Sequence, residues 1–102
     1  MEEQNGQLEV DEFGTKRWTL NGKWHRLNGP ACEWADGSKA WWMNGKLHRL
    51  DGPAHEWIDG DRKWYVNGNY LPSDEVNQWI KDNNLTIPFN EEIQVMFKLR
   101  WI

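Results

Sequence analysis

The chain has 102 residues, a formal net charge of -4 and a sequence pI near 5.3, so one domain with one modest core is the expectation. The acidic balance argues against a nucleic-acid binder, which usually presents a basic face, although Lys16, Arg17, Lys23 and Arg26 could form a local basic stripe. Mean hydropathy is -0.93, yet aromatic residues make up 14% of the chain and nine of them are Trp; such a composition places large flat rings on half-buried surfaces. No stretch approaches the ~20 apolar residues that span a bilayer. Residues 1–5 lack the basic and apolar regions of a signal peptide. The single cysteine, Cys32, allows no intramolecular disulfide and fits a reducing, cytoplasmic setting.

Residues 1–4 read as a disordered tail. From Asn5 the sequence matches itself at an offset of 23, as Gly6 to Gly29 to Gly52 shows. The units run 5–27, 28–50 and 51–73. Gly14, Gly37 and Gly60 align, as do Trp18, Trp41 and Trp64, and Asn21-Gly22, Asn44-Gly45 and Asn67-Gly68. Lys23-x-His25-Arg26-Leu27 is matched by Lys46-x-His48-Arg49-Leu50, whereas the third unit departs to Asn69-Tyr70-Leu71-Pro72.

The matching positions are mostly turn residues. Asn-Gly between apolar residues is a strong hairpin cue, because both central residues of a type I′ turn take positive φ. Asp36-Gly37 and Asp59-Gly60 suggest a second hairpin, and Leu-Asn/Asp-Gly-Pro a looser third turn. Each unit therefore predicts about three short strands, and the three together an antiparallel β-meander. Two-residue turns would pair Leu20 with Lys23, Thr19 with Trp24, Trp18 with His25, Trp42 with Leu47 and Trp41 with His48. Treated the same way, the Asp-Gly turns would pair Trp34 with Lys39, Trp57 with Arg62 and Glu56 with Lys63, and set Cys32 opposite Trp41. One face would then collect Trp18, Trp34, Trp41, Trp57 and Trp64, with Lys39 and Arg62 among them.

The core Trp42-Met43-Asn44-Gly45-Lys46-Leu47-His48 resembles MORN-type repeats, the membrane occupation and recognition nexus family. More closely, the pattern NGKxHRxDGPA is similar to a repeat of small proteins from tailed bacteriophages and some bacteria. The resemblance covers residues 5–73 and implies an elongated antiparallel sheet with an interaction role. It also suggests a host-directed accessory or anti-defence protein acting in the host cytoplasm. MORN-type units place Gly after the His; here Arg26 or Arg49 follows instead.

After Pro72 the pattern changes. Ser73-Asp74-Glu75 reads as a helix cap followed by acids, with Val76, Trp79 and Ile80 on one face and Asn83-Asn84 as the stop. Asn90-Glu91-Glu92 can start a second helix carrying Ile93, Met96, Phe97 and Trp101; a strand is the rival, since Val95, Phe97, Leu99 and Trp101 alternate. This 74–102 segment is expected to pack on the sheet, within the same domain, or on a partner subunit. The fold class is thus mainly β with a small α part.

Candidate chemistry is sparse. His25 and His48, one unit apart, would lie about 14 Å from each other at ~4.8 Å per strand, too far to share a zinc held at ~2.1 Å. Each imidazole is expected to stack on its cross-strand Trp and fix a turn through a ring N–H. Cys32 reads as a buried thiol. No phosphate loop, nucleophile elbow or metalloprotease signature occurs, and no metal, cofactor or catalytic residue is assigned. The leading expectation is a non-enzymatic module that blocks a host protein through an aromatic and basic sheet surface. The residues chosen for it are His25, Arg26, His48, Arg49, Trp24, Trp42 and Tyr65. Behind it stand a sponge for a small nucleotide signal, as a homo-oligomer with a pocket between subunits, and a single-stranded nucleic-acid binder.

Overall fold

A computed structural model describes residues 5–102; the tail expected at 1–4 lies outside the described residues. The molecule is mainly antiparallel β-sheet followed by two helices. Strands β1 (Gln7–Val10), β2 (Lys16–Leu20), β3 (Lys23–Trp24), β4 (Cys32–Glu33), β5 (Lys39–Ala40), β6 (Trp42–Met43), β7 (Lys46–Leu47), β8 (His55–Glu56), β9 (Arg62–Lys63), β10 (Tyr65–Val66) and β11 (Asn69–Tyr70) precede α1 (Ser73–Asp82) and α2 (Glu91–Trp101).

The strands form two rows rather than one panel. The first row is a sheet in the order β1-β2-β4-β5-β8-β9, with β3 paired to the end of β2; β6-β7 and β10-β11 are separate hairpins. The end of β2 with β3 and these two hairpins are nevertheless joined into a second row by backbone bonds between units. The Arg26 and Gly45 amides donate to the Trp42 and Trp24 carbonyls, and the Arg49 and Gly68 amides to those of Tyr65 and Leu47 (2.8–3.2 Å).

The aligned tryptophans stand where the two rows part. Trp18 donates its amide to Ala31 in the first row and accepts from the His25 amide in the second (2.8 and 3.0 Å). Trp41 does the same with Ala54 and His48 (2.7 and 3.0 Å). At Trp64 the donor finds Ser73 Oγ instead (2.9 Å), and Leu71 supplies the second-row amide. The ladder thus changes partners at a tryptophan in every unit.

The Asn-Gly turns take the expected form. Asn21, Asn44 and Asn67 have φ of 50–53°, and the following glycines 77–80°, so both central residues are left-handed as type I′ requires. Their registers, Leu20↔Lys23, Thr19↔Trp24, Trp42↔Leu47, are those anticipated.

The Asp-Gly turns correct the sequence reading by one residue. Only the glycine is left-handed there (Gly37 φ 97°, Gly60 φ 94°). The Asp36 carboxylate accepts from the Ser38 amide (2.8 Å) and Asp59 from Asp61 (2.9 Å), the Asx-turn geometry natural to aspartate. The loop is therefore three residues long, closed by Trp34 N–H to Ser38 O (2.9 Å). Glu33 faces Lys39 and Glu56 faces Arg62, while His55 faces Lys63. Trp34 is not opposite Lys39, nor Trp57 opposite Arg62, and Cys32 lies between Ala40 and Arg17 rather than opposite Trp41. A one-residue slip exchanges the faces of a strand, so Lys39 and Arg62 leave the set of ring neighbours assigned to them.

Side-chain staples tie consecutive units. Buried Thr15 Oγ1 accepts from the Ala35 amide (3.2 Å) and buried Ser38 Oγ from the Ile58 amide (3.0 Å), at positions 23 apart (15 and 38).

The helices pack on the third unit of their own chain. The core cluster is Trp64, Val66, Leu71, Val76, Phe89 and Phe97, with Trp79, Ile80, Ile93 and Trp101 packed against it. Asn90 caps α2, its Oδ1 accepting from the Ile93 amide (2.9 Å), which settles residues 91–101 as helix rather than strand. Met96, expected inward with Phe97, points to solvent. Ser73 is not the α1 cap: it is the first helical residue, and its buried hydroxyl accepts from Trp64 N–H and donates to Leu71 O (2.9 and 3.2 Å). A tertiary demand from the sheet has taken the hydroxyl that the helix start would otherwise use.

Candidate functional site

The site is built from a contact made twice. The Arg26 guanidinium lies over the Trp18 ring, its carbon 3.8 Å from the ring centre, and Arg49 lies over Trp41 at the same 3.8 Å. The residue after the histidine therefore covers the tryptophan. A guanidinium suits this place because it is flat and weakly hydrated, and is attracted by the ring face. Its other face lies against a glycine. A Cβ at Gly29 would stand 3.2 Å from Arg26 Cζ, and one at Gly52 2.5 Å from Arg49 Cζ. The Gly of each Gly-Pro is thus needed for close approach. The guanidinium edge then donates to the carbonyl of the proline that follows: Arg26 Nη1 to Pro30 O and Arg49 Nη1 to Pro53 O, each 3.1 Å. Trp and Arg of one unit and the Gly-Pro that opens the next specify a single sandwich.

The histidines act between units. His25 Nδ1 accepts from the Asn44 amide (3.1 Å) and His48 Nδ1 from the Asn67 amide (2.9 Å). Each ring holds the Asn-Gly turn of the next unit through an accepting Nδ1, where the sequence reading expected a ring N–H to fix the turn. In neutral His48 the proton must then sit on Nε2. Burial holds the His48 pKa below its ordinary value of 6.5, because a charged imidazole loses hydration there.

Between the two sandwiches runs an open groove of about 640 Å³. Arg26, His48 and Arg49 line it, together with Trp41, Met43 and Asn28. Pro88 and Gln94 from the C-terminal segment complete one end. Of the seven residues chosen from sequence, the groove brings together Arg26, His48 and Arg49. His25 is only 4% exposed and serves its latch. Trp24, Trp42 and Tyr65 lie on the second row: Trp24 meets Trp42 edge-on at 5.1 Å, and Tyr65 meets exposed Tyr70 edge-on at 5.2 Å. They form a separate aromatic strip outside the groove lining.

Two features escaped the sequence reading. Gln94 enters the groove through the placement of the C-terminal segment, which no local pattern encodes. His55 is stacked between Trp34 and Trp57, with ring planes within 3–4° and centres 5.3 and 3.6 Å away. The recurrence of Trp at 34 and 57 was its only sequence signal. Burial lowers the His55 pKa, opposed by the Asp61 charge.

Cys32 is fully buried, and burial pushes its thiol up to about 11, so the reactive thiolate is scarce near neutrality. Among the described residues no cluster of three His, Cys, Asp or Glu side chains could hold a metal, and no helix is long and apolar enough to cross a membrane. No protein-family model matches the chain, and neither the curated proteins nor the solved structures compared with it yielded a match.

Proposed function

We propose that the protein is a non-enzymatic binding module, a phage-type accessory or anti-defence protein that blocks a host protein. The observation that carries this reading is the groove beside the two Arg-Trp sandwiches. A guanidinium clamped between a ring and a glycine has lost little additional freedom when a partner binds, and fixed Arg and Trp groups are the usual anchors of protein interfaces. The NGKxHRxDGPA resemblance supports the host-directed part. Specificity comes from positions that differ between units, above all Asn28 against Asp51.

The test is capture from a bacterial lysate on immobilised protein. One stoichiometric protein should be retained by the native chain and lost by Arg26→Ala combined with Met43→Asp. A second reading has one specific support: about 640 Å³ lies within the usual range for small-molecule sites, so a nucleotide sponge remains the rival. A stabilising shift with a nucleotide, and no retained protein, would replace the first reading by the second.

A further inference from the structure

The two sandwiches share a backbone and differ in one respect. Arg49 is neutralised within the chain: its Nε donates to Asp51 Oδ1 at 2.7 Å, and its Nη1 lies 3.4 Å from Glu56 Oε1. Arg26 has the same ring at 3.8 Å and the same proline carbonyl at 3.1 Å. Asparagine 28 stands where Asp51 stands one unit later, and Glu33 stands where Glu56 does. Among the described residues no carboxylate comes within 4.0 Å of the Arg26 guanidinium. The Asn28 amide is held in place by the Asn5 side chain (3.2 Å), which also accepts from Leu27 (2.6 Å).

We infer that Arg26 is a carboxylate-binding position, and that an Asp, Glu or terminal carboxylate of the bound partner takes the place that Asp51 fills beside Arg49. The second unit supplies the template: a carboxylate oxygen on Nε, in the plane of the guanidinium, while the ring and the glycine occupy its two faces. Asn28 cannot supply that charge. Among the described residues the one carboxylate in the groove lining, Asp51, is engaged by Arg49. A guanidinium that keeps its rigid seat and has no described carboxylate beside it offers directed donors, which favours a charge-assisted pair over a merely neutral contact. The inference rests on the binding reading above and names its chemistry.

The experiment follows the Arg side-chain Nε–Hε resonances of the isotopically labelled full chain during titration with acetate, with sodium chloride and inorganic phosphate as parallel arms. It requires no partner, so its failure is distinct from failure of the lysate capture. Acetate should shift Arg26 saturably and leave Arg49 unmoved. Asn28→Asp, which supplies the missing carboxylate internally, should weaken the response about tenfold or abolish it, the scale of a charged hydrogen bond. Asp51→Asn should make Arg49 respond. Both residues are native to this turn in one unit or the other, so the fold should tolerate each exchange, and the amide spectrum reports whether it does. Uniform shifts of every arginine, an equal effect of chloride, or no saturation in the native chain would overturn the inference. A phosphate response stronger than that of acetate would overturn the carboxylate assignment.

Discussion

Trp64 and Trp41 occupy the same place in consecutive units, yet one is sealed and the other faces a groove. Trp41 is covered by the Arg49 guanidinium. Trp64 is covered by Phe89 and Phe97, with ring centres 5.6 and 5.3 Å away, and is fully buried. The exchange follows from three residues. Where the second unit has His48 and Arg49, the third has Leu71 and Pro72, and Ser73 Oγ replaces a backbone carbonyl as the acceptor for Trp64 N–H. One corner thus accepts either of two lids. A guanidinium lid keeps the surface polar and leaves an edge for contacts. A phenyl lid ends the stack of units and creates the core that a thin sheet lacks, as terminal caps do in repeat architectures.

The comparison can be broken most severely at the sealed end. Trp64→Ala should lower stability by about 3–5 kcal/mol, the cost of a large cavity in a core, as read from urea denaturation. The Trp64 side chain also loses its indole bond to Asn77 Oδ1 (2.8 Å) in that variant. Loss of far less than this would mean that the helices do not depend on the sheet for their seat.

A medium effect separates the two guanidinium lids. At Gly52 an added Cβ would stand 2.5 Å from Arg49 Cζ and 2.7 Å from Nη1, against 3.2 Å from Cζ at Gly29. Gly52→Ala should therefore cost about 1–3 kcal/mol as overpacking and Gly29→Ala clearly less. Equal costs in thermal denaturation would refute the sandwich geometry.

The smallest effect concerns the latch. His48 and His55 both have pKa values held below 6.5 by burial, so the unfolded chain binds more protons just below pH 6.5. Their contribution is complete above that pH and declines as pH falls towards the folded-state values. Protonated His48 can no longer accept from the Asn67 amide. His48→Leu, the residue type of the third unit, should flatten part of this acid limb, leaving the part due to His55. It should also cost about 1 kcal/mol at neutral pH for the lost hydrogen bond. An unchanged pH profile would show that His48 is not the titrating latch.

How much of this was legible in the sequence depended on whether a local rule decides the geometry. Asn-Gly dictated two left-handed residues, and all the pairings next to those turns were read correctly. Asp-Gly looked equivalent but was not, because aspartate prefers to cap its own turn with a carboxylate, adding one loop residue and exchanging faces. Asn90 with its acids identified α2, whereas Ser73 was misread because its hydroxyl serves Trp64 across the fold. Arg26 and Arg49 were chosen as binding residues, but nothing in the pairing showed that each would lie over its tryptophan. Strand pairing sets backbones opposite one another; it does not say which long side chain reaches back over a ring. The groove itself depends on where the C-terminal segment lies, and that is a property of the packed molecule.

The two Arg-Trp sandwiches differ in charge satisfaction: Arg49 has carboxylates within the chain, and Arg26 has none within 4.0 Å among the described residues. Urea denaturation of Arg26→Ala and Arg49→Ala under identical conditions tests it most directly. Arg49→Ala should be clearly the more destabilising, since it strands Asp51 in the groove lining and leaves Glu56 without its arginine as well as losing the ring contact, and the gap should narrow in high salt. Equal losses at low salt would contradict the account.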